Sequence, residues 1–393
     1  MRASPGAQLA PDEVLGRDSI IAQMWDILEW QSIVLSAERR MGKTSIIKKM
    51  TAEPIDGVIP VFRDLEAVRT PLEFVQNVYD DVDRYLTTRS RTTHRVRAFL
   101  SQITEIQVAG AIKFPTMAAE HWKIILAHTI ADLTEHQDKT MVFFWDELPL
   151  MLYNIKQSLP DGEMVAAEML DVLRALRQTH PRMRTVYTGS IGLHHVLTGL
   201  RHGGYANDPT NDMRSLDVPP LKSADAAFLA RRLLGGENIG VSDENAVAAS
   251  IAQEADDIPF FIHHIVAQMG AEDAMVDAAS ARRIVDAYLA DPQDPWHLRY
   301  YRERLESYYA LGVRPLALAV LDVLAGAGAL LSFDEVLNRV KTTVELEDAE
   351  MVRKVLTLLQ QDHYVLLHPG TARYSFRRPL IERYWRASRG LGA

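Results

Sequence analysis

The chain of 393 residues contains no cysteine. Disulfides are excluded, and so are metal sites built on thiolates. An excess of positive charge is also missing: 43 lysines and arginines stand against 52 acids, for a net charge of −9. The surface as a whole therefore does not attract a polyanion, and contact with nucleic acid would need a local basic patch. No apolar run is long and clean enough to cross a bilayer. The best of them, PLALAVLDVLAGAGALL from Pro315 to Leu331, carries Asp322 and is broken by Gly326 and Gly328; it reads as a buried helix. The N-terminus, MRASPGAQLAPDE, lacks the apolar core of a signal peptide. These absences together suit a reducing, cytoplasmic compartment. What remains is ordinary globular composition, 47% hydrophobic and 24% charged, with length for about two or three domains.

Against this background one stretch carries chemistry. SAERRMGKTSII, from Ser36 to Ile47, follows the short apolar run Ser32 to Leu35. A phosphate-binding loop reads G-x-x-x-x-G-K-[ST]. Here the eight positions are Ala37, Glu38, Arg39, Arg40, Met41, Gly42, Lys43 and Thr44. Successive backbone N–H groups must curl around a phosphate, and Gly42 permits that close approach. Lys43 brings a cation to the β and γ phosphates. Thr44 offers a hydroxyl to Mg²⁺, and Ser45 continues into a helix whose N-terminus favours the anion. Ala37 stands where a glycine is expected, which a methyl group tolerates if the backbone there keeps φ below zero.

About a hundred residues on comes MVFFWDELPLML, Met141 to Leu152. Its continuous apolar run is expected of a parallel strand buried on both faces. The strand ends in Asp146 and Glu147, read as a metal-shell ligand and as the group that orients and deprotonates the attacking water. An acidic pair in this place is otherwise a helix cap. Further strands are expected at Val58 to Phe62, Thr185 to Thr188 and Leu216 to Val218. Thr188 and Ser190, at a strand's carboxyl end, are placed to touch the γ-phosphate or the water, or are polar turn residues. The catalytic candidates are therefore Glu147, Lys43 and Thr188, and the metal candidates Thr44 and Asp146. The alternation of strands and helices implies an α/β fold with a parallel sheet covered on both faces.

With these residues in hand, the chain resembles prokaryotic ATPases of the AAA+/STAND type, in the archaeal-ATPase and origin-recognition-like group. VLGRD (Val14 to Asp18) resembles the G-R-[DE] box, which implies adenine contacts at Gly16 and Arg17. ERRMGKTS and FFWDELP resemble the family's P-loop (Walker A) and Walker B segments, and YTGSIG its sensor strand. VPPLKSADAAFLARRLL (Val218 to Leu234) and IAQEADDIPFFIHHIV (Ile251 to Val266) resemble a helical lid, where Asp257 replaces the glycine of a G-x-P segment and Pro259 remains. The resemblance implies a P-loop NTPase sheet of the additional-strand, catalytic-glutamate type. It also implies ATP and Mg²⁺ as ligands, with Arg39, Arg40, Met41, Gly42, Lys43, Thr44, Ser45 and Pro259 among the binding residues.

The expected organisation is a flexible N-terminus at 1–13, the ATPase core at 14–218, a helical lid at 219–292 and a winged-helix domain at 293–393. An insertion between the second strand and the Walker B strand holds a basic stretch with Arg89, Arg91, Arg95 and Arg97, and a small hairpin at 105–114. DPQDPWHLRYY, from Asp291 to Tyr301, reads as a hinge. The last hundred residues read as three helices and a hairpin, with Ser332 and Glu335 forming a capping box. Arg373, Arg377, Arg378, Arg383, Arg386 and Arg389 crowd the hairpin and tail. They either contact DNA or pair with acids of the protein itself. Neighbouring helix residues point different ways, so His194-His195 and His263-His264 read as structural or surface residues rather than a zinc site.

Three functions follow. One is an ATP-driven switch or motor whose winged helix reports the nucleotide state to a protein partner, with an arginine from a neighbouring copy in a homo-oligomer; Arg174, Arg177, Arg184, Arg201 and Arg214 are candidates. Another is a DNA-binding ATPase of an origin, a mobile element or a defence locus. The third is a non-catalytic, nucleotide-stabilised interaction protein.

Overall fold

The computed structural model describes all residues except 87–94, 97, 101–112, 115, 136–137, 272–274, 346–347 and 392–393. Arg89, Arg91, Arg97 and the hairpin expected at 105–114, apart from its last two residues, lie outside the described residues. The chain divides into two compact units, one of Ala10–Ser36 and Lys43–Val218, the other of Met1–Leu9, Ala37–Gly42 and Pro219–Ala393. Among the described residues no helix is long and apolar enough to cross a membrane.

The first unit is built on a five-stranded sheet. Strands β1 (Ser32–Ser36), β2 (Val58–Asp64), β3 (Thr140–Asp146), β4 (Met183–Tyr187) and β5 (Met213–Asp217) lie in the order β2-β3-β4-β1-β5, and every pairing is parallel. β4 separates β1 from β3, which is the additional strand expected. β3 shows why the sheet is buried on both sides. Successive side chains of a strand point to opposite faces. Phe144 meets Trp25 of the helix Asp18–Leu28 edge-on at 6.2 Å, while Trp145 meets Phe74 of the helix Pro71–Leu86 edge-on at 5.1 Å. Met141 to Trp145 are all fully buried. Burial of each such side chain contributes about 1.5–3 kcal/mol.

Two arginines offered as donors to a neighbouring copy are used inside this unit. Arg177, 7% exposed, donates to both carboxylate oxygens of Asp212 at 2.9 Å, to the Tyr187 hydroxyl at 2.5 Å and to the Pro209 carbonyl at 2.6 Å. Arg184 donates to the carbonyls of Leu28 and Glu29, both at 3.0 Å. His194 and His195 do not point apart: their ring centroids are 4.4 Å from each other. Helical neighbours diverge by about 100° at the backbone, but planar rings on two free torsions swing back together.

The second unit is helical before it becomes mixed. Helices Ser223–Gly236, Glu244–Glu254, Pro259–Met269 and Ser280–Ala290 are followed by the segment read as a hinge. That segment is packed rather than loose: Trp296 is fully buried, stacked on Tyr288 at 4.8 Å. The first residues are also held, with the Ala3 N–H on Glu237 Oε1 at 2.8 Å and the Ser4 N–H on His263 Nδ1 at 3.1 Å. After Tyr300–Tyr308 come helices Arg314–Ala325, Phe333–Val340 and Ala349–Gln361 and an antiparallel sheet in the order β6-β8-β7, with β6 Leu331–Ser332, β7 Val365–His368 and β8 Arg373–Phe376. Ser332 and Glu335 form the capping box reciprocally, at 3.3 and 2.7 Å. The last helix is Pro379–Arg389.

Five of the tail arginines pair with acids within this unit. Arg373 pairs with Glu335 at 3.0 Å, Arg378 with Glu38 at 3.0 Å, Arg383 with Glu254 and Asp286 at 2.6 Å each, Arg386 with Glu382 at 2.6 Å and Arg389 with Asp322 at 2.6 Å.

Asp256 and Asp257 both adopt the left-handed conformation, with φ of 51° and 57°. Asp257 thus keeps the backbone shape that favours glycine. Its carbonyl accepts from the Leu221 N–H at 3.0 Å and its carboxylate from Ser223 at 2.8 Å. The Asp256 carboxylate accepts from the Leu380 N–H at 2.8 Å. Burial pushes its pKa up to about 7; the Leu380 bond and then Arg378 oppose the rise, Glu38 adds to it, and Arg383 opposes it weakly. The folded protein therefore binds this proton more tightly than the unfolded chain, where an aspartate titrates near 3.9. Stability is fullest below that value and is lost as pH rises through about 7. Asp256→Asn keeps the acceptor and tolerates positive φ. It is expected to raise the urea stability at pH 8 by on the order of 1–2 kcal/mol and to leave that at pH 4 nearly unchanged. Equal midpoint shifts at both pH values would contradict this.

Candidate active site at the carboxyl ends of the strands

Ligands of open parallel sheets bind beyond the carboxyl ends of the strands. In the first unit four of those ends, of β1, β2, β3 and β4, bring together residues far apart in sequence. Helix Lys43–Ala52 begins with Lys43 and Thr44. The Thr44 hydroxyl donates to Asp146 Oδ2 at 2.6 Å, and the Glu147 N–H donates to Asp146 Oδ1 at 3.1 Å. In the register of β2 on β3, Asp64 stands opposite Asp146. This second carboxylate was not singled out in the sequence. Asp146 is held above the usual carboxylate range, first by burial; the Thr44 bond opposes the rise, and the charge of Asp64 adds to it.

Glu147 sits at φ 58°, a left-handed corner between β3 and the helix Leu148–Ser158. Such a corner costs roughly 1–3 kcal/mol in a residue with a side chain. It turns the carboxylate across to the end of β4. There the Ser190 N–H lies 2.9 Å from both carboxylate oxygens, and the Ser190 hydroxyl donates to Oε2 at 2.8 Å. Gly189 makes room for this: a Cβ there would stand 2.9 Å from Pro149 Cδ and 3.3 Å from Glu147 Oε2. Burial raises the pKa of Glu147; the two Ser190 bonds oppose the rise, Asp146 adds to it, and Lys43 lowers both carboxyls. Ser190 therefore faces Glu147, a partnership the sequence did not disclose.

Thr188 lies in the same place but is used differently. Its backbone bridges β3 and the following helix, with its N–H on the Trp145 carbonyl and its carbonyl accepting from Leu148, both at 3.2 Å. Its side-chain hydroxyl is buried and has no hydrogen-bond partner among the described residues. Buried polar atoms are nearly always satisfied, so this hydroxyl stands out as an exception. Gly16, at φ 68°, and the buried Arg17 precede the helix Asp18–Leu28. Ser45 lies in the first turn after Thr44.

No family model and no curated protein matches the chain by sequence. Solved structures do match. A Walker-type ATPase of Pyrococcus abyssi aligns over 98% of this chain and 100% of its own, with a TM-score of 0.65 and 14% identity. The ORC2 protein of Aeropyrum pernix, solved as ADPNP–ADP complexes, aligns over 98% and 95%, with a TM-score of 0.55 and 13% identity. This chain has the fold of an ORC-like P-loop ATPase. The segment Ala37 to Gly42 follows β1 and leads into the helix Lys43–Ala52.

Within the second unit the segment Ala37–Gly42, read from sequence as a phosphate loop, shows how the departure at Ala37 is accommodated. Arg40 and Gly42 take positive φ, 75° and 86°, whereas Ala37 is not among the left-handed residues, so its methyl group strains nothing. Met41 is buried, Arg39 stacks on Tyr300 at 3.8 Å and Arg40 on Phe260 at 3.7 Å. Burial, reinforced by Arg39, lowers Arg40 to about 10. Pro259 opens its helix at the first position. The residue that sequence reasoning passed over is Glu38, which is 2% exposed.

Proposed function

We propose that the chain binds ATP with Mg²⁺ through Arg39–Ser45 and hydrolyses it, serving as a nucleotide-controlled switch. The observation that carries this reading is the 2.6 Å bond between Thr44 and Asp146, which joins two motifs 102 residues apart. These are two hard oxygen donors, a hydroxyl and a carboxylate, the set that Mg²⁺ takes alongside phosphate oxygens and water. When bound, the ion would offset charge on the phosphates. Lys43 supplies a fixed cation to the phosphates. Glu147 is the general base for water, and burial raises its carboxyl above the ordinary value, which makes it a better proton acceptor. The orphan hydroxyl of Thr188 is available to orient that water or a γ-phosphate oxygen. Gly16 and Arg17 lie on the adenine side of this reading, and Pro259 on the lid.

The domains in this proposal are the core at 14–218, a lid at 219–292 and a winged helix at 293–393. The output is a protein partner rather than DNA, because the arginines that would have formed a DNA surface are largely consumed by acids of the chain itself. Arg174, half-buried, and Arg201 and Arg214, both exposed, remain the candidates to serve a neighbouring copy in a homo-oligomer.

The test is ligand protection and turnover. Saturating Mg·ATP is expected to raise the unfolding temperature, with about 2.7 kcal/mol of stabilisation at a hundred times Kd. Lys43→Ala should lose the effect. Turnover should not respond to added duplex DNA. Protection that persists in Lys43→Ala removes the loop from its role, and turnover that rises with DNA replaces the protein-partner reading with the DNA one.

A further inference from the structure

Glu38 is the second residue of the phosphate loop, a place where a carboxylate is electrostatically wrong. The loop exists to gather backbone N–H groups around a polyanion, and a negative side chain beside it opposes that task. In this chain the charge is withdrawn and compensated. Glu38 Oε1 accepts from the Tyr301 hydroxyl at 2.6 Å and Oε2 from Arg378 Nε at 3.0 Å. All of these groups belong to one compact unit. The Glu38 side chain is 1% exposed and Arg378 14%, so the pair is held where solvent screens it little. Arg378 precedes the last helix as its N-cap residue, two positions beyond the hairpin strand β8. Two residues further on, the Leu380 N–H is tied to Asp256.

We propose that Arg378 is a positioning residue for nucleotide binding: it compensates Glu38 inside the phosphate loop and makes ATP affinity depend on the seating of the C-terminal hairpin and helix. The inference rests on the ATP-binding reading above. Any partner that draws residues 377–379 away takes the counter-charge with it and leaves an anion in the anion-binding loop. Nucleotide release and displacement of the hairpin are then the same event, seen from two sides.

The experiment is a charge cycle on the full chain. Mg·ATP affinity is measured by titration calorimetry for wild type, Arg378→Gln, Glu38→Gln, the double variant and Lys43→Ala. Arg378→Gln is expected to weaken binding by about tenfold or more, with Glu38→Gln and the double variant within about threefold of wild type, because without the carboxylate no counter-charge is needed. In steady state the loss should sit in KM, with kcat little changed. Tyr301→Phe removes only a hydroxyl and probes the same carboxylate if Arg378→Gln does not fold. It should cost about threefold in the wild-type background and nothing beside Glu38→Gln. Wild-type binding that Lys43→Ala abolishes, together with unchanged affinity in Arg378→Gln or a double variant as weak as that single one, overturns this inference alone. So does a Tyr301→Phe loss that is absent, or equal in both backgrounds. A wild type that binds no ATP, or binds it equally well in Lys43→Ala, overturns the nucleotide reading and this inference with it.

Discussion

Glu147→Gln is expected to leave ATP binding within a few-fold of wild type and to lower turnover by about 10²–10⁴, the range for loss of a positioned general base. The reason lies in how the side chain is held. Ser190 donates to Glu147 through its backbone N–H and its hydroxyl, and a glutamine keeps a carbonyl oxygen to accept them. The fold and the loop are therefore unaffected, and what disappears is the capacity to take a proton from water. Ser190→Ala separates holding from chemistry. It keeps the backbone donor but removes the hydroxyl donor to Oε2, so the carboxyl should titrate higher and the acid limb of the kcat–pH profile should move up with it. The checks are single-turnover hydrolysis and ATP titration on the same preparations. Undiminished turnover in Glu147→Gln removes Glu147 from its role.

The largest effect on stability is expected at Arg304. This guanidinium is 5% exposed and donates to Asp362 Oδ1 at 2.9 Å, while Tyr309 donates to Oδ2 at 2.5 Å. Burial alone would lower the arginine's pKa, but Asp362 and the surrounding tyrosines hold it above its ordinary value. Removing one member of a buried pair strands the other charge, at about 3–5 kcal/mol. Arg304→Met should therefore lower the urea stability by about that amount, a large share of the whole. Arg304→Met combined with Asp362→Leu should recover much of it, since buried ion pairs are often replaceable by packed apolar groups. A double variant as unstable as the single one would mean that Arg304 matters for its packing and not for its charge.

Much of the candidate site was legible because its requirements are local. Gly42, Lys43 and Thr44 must be adjacent for one loop to meet one phosphate, and a strand buried on both faces must read as an unbroken apolar run such as Met141 to Trp145. The capping box at Ser332 and Glu335 is likewise a matter of four consecutive residues. What was not legible depends on contacts distant in sequence. The bond of Ser190 to Glu147 spans 43 positions and that of Glu38 to Arg378 spans 340. No periodicity or spacing encodes such partners. The hinge read at Asp291 to Tyr301 failed for a related reason: prolines mark where a chain turns, not whether the turn is packed, and Trp296 buries it.

The residue order by itself determined the α/β class, the positions of the strands and the candidate phosphate loop, because backbone geometry and side-chain alternation act over a few residues. Tertiary structure alone decided the use of the charges. Whether an arginine meets DNA, a neighbouring copy or an aspartate of its own chain depends on what lies within about 4 Å, where Coulomb energy in a poorly solvated setting outweighs composition. That is how Arg177 became a buried brace and Arg378 the partner of a carboxylate in the phosphate loop.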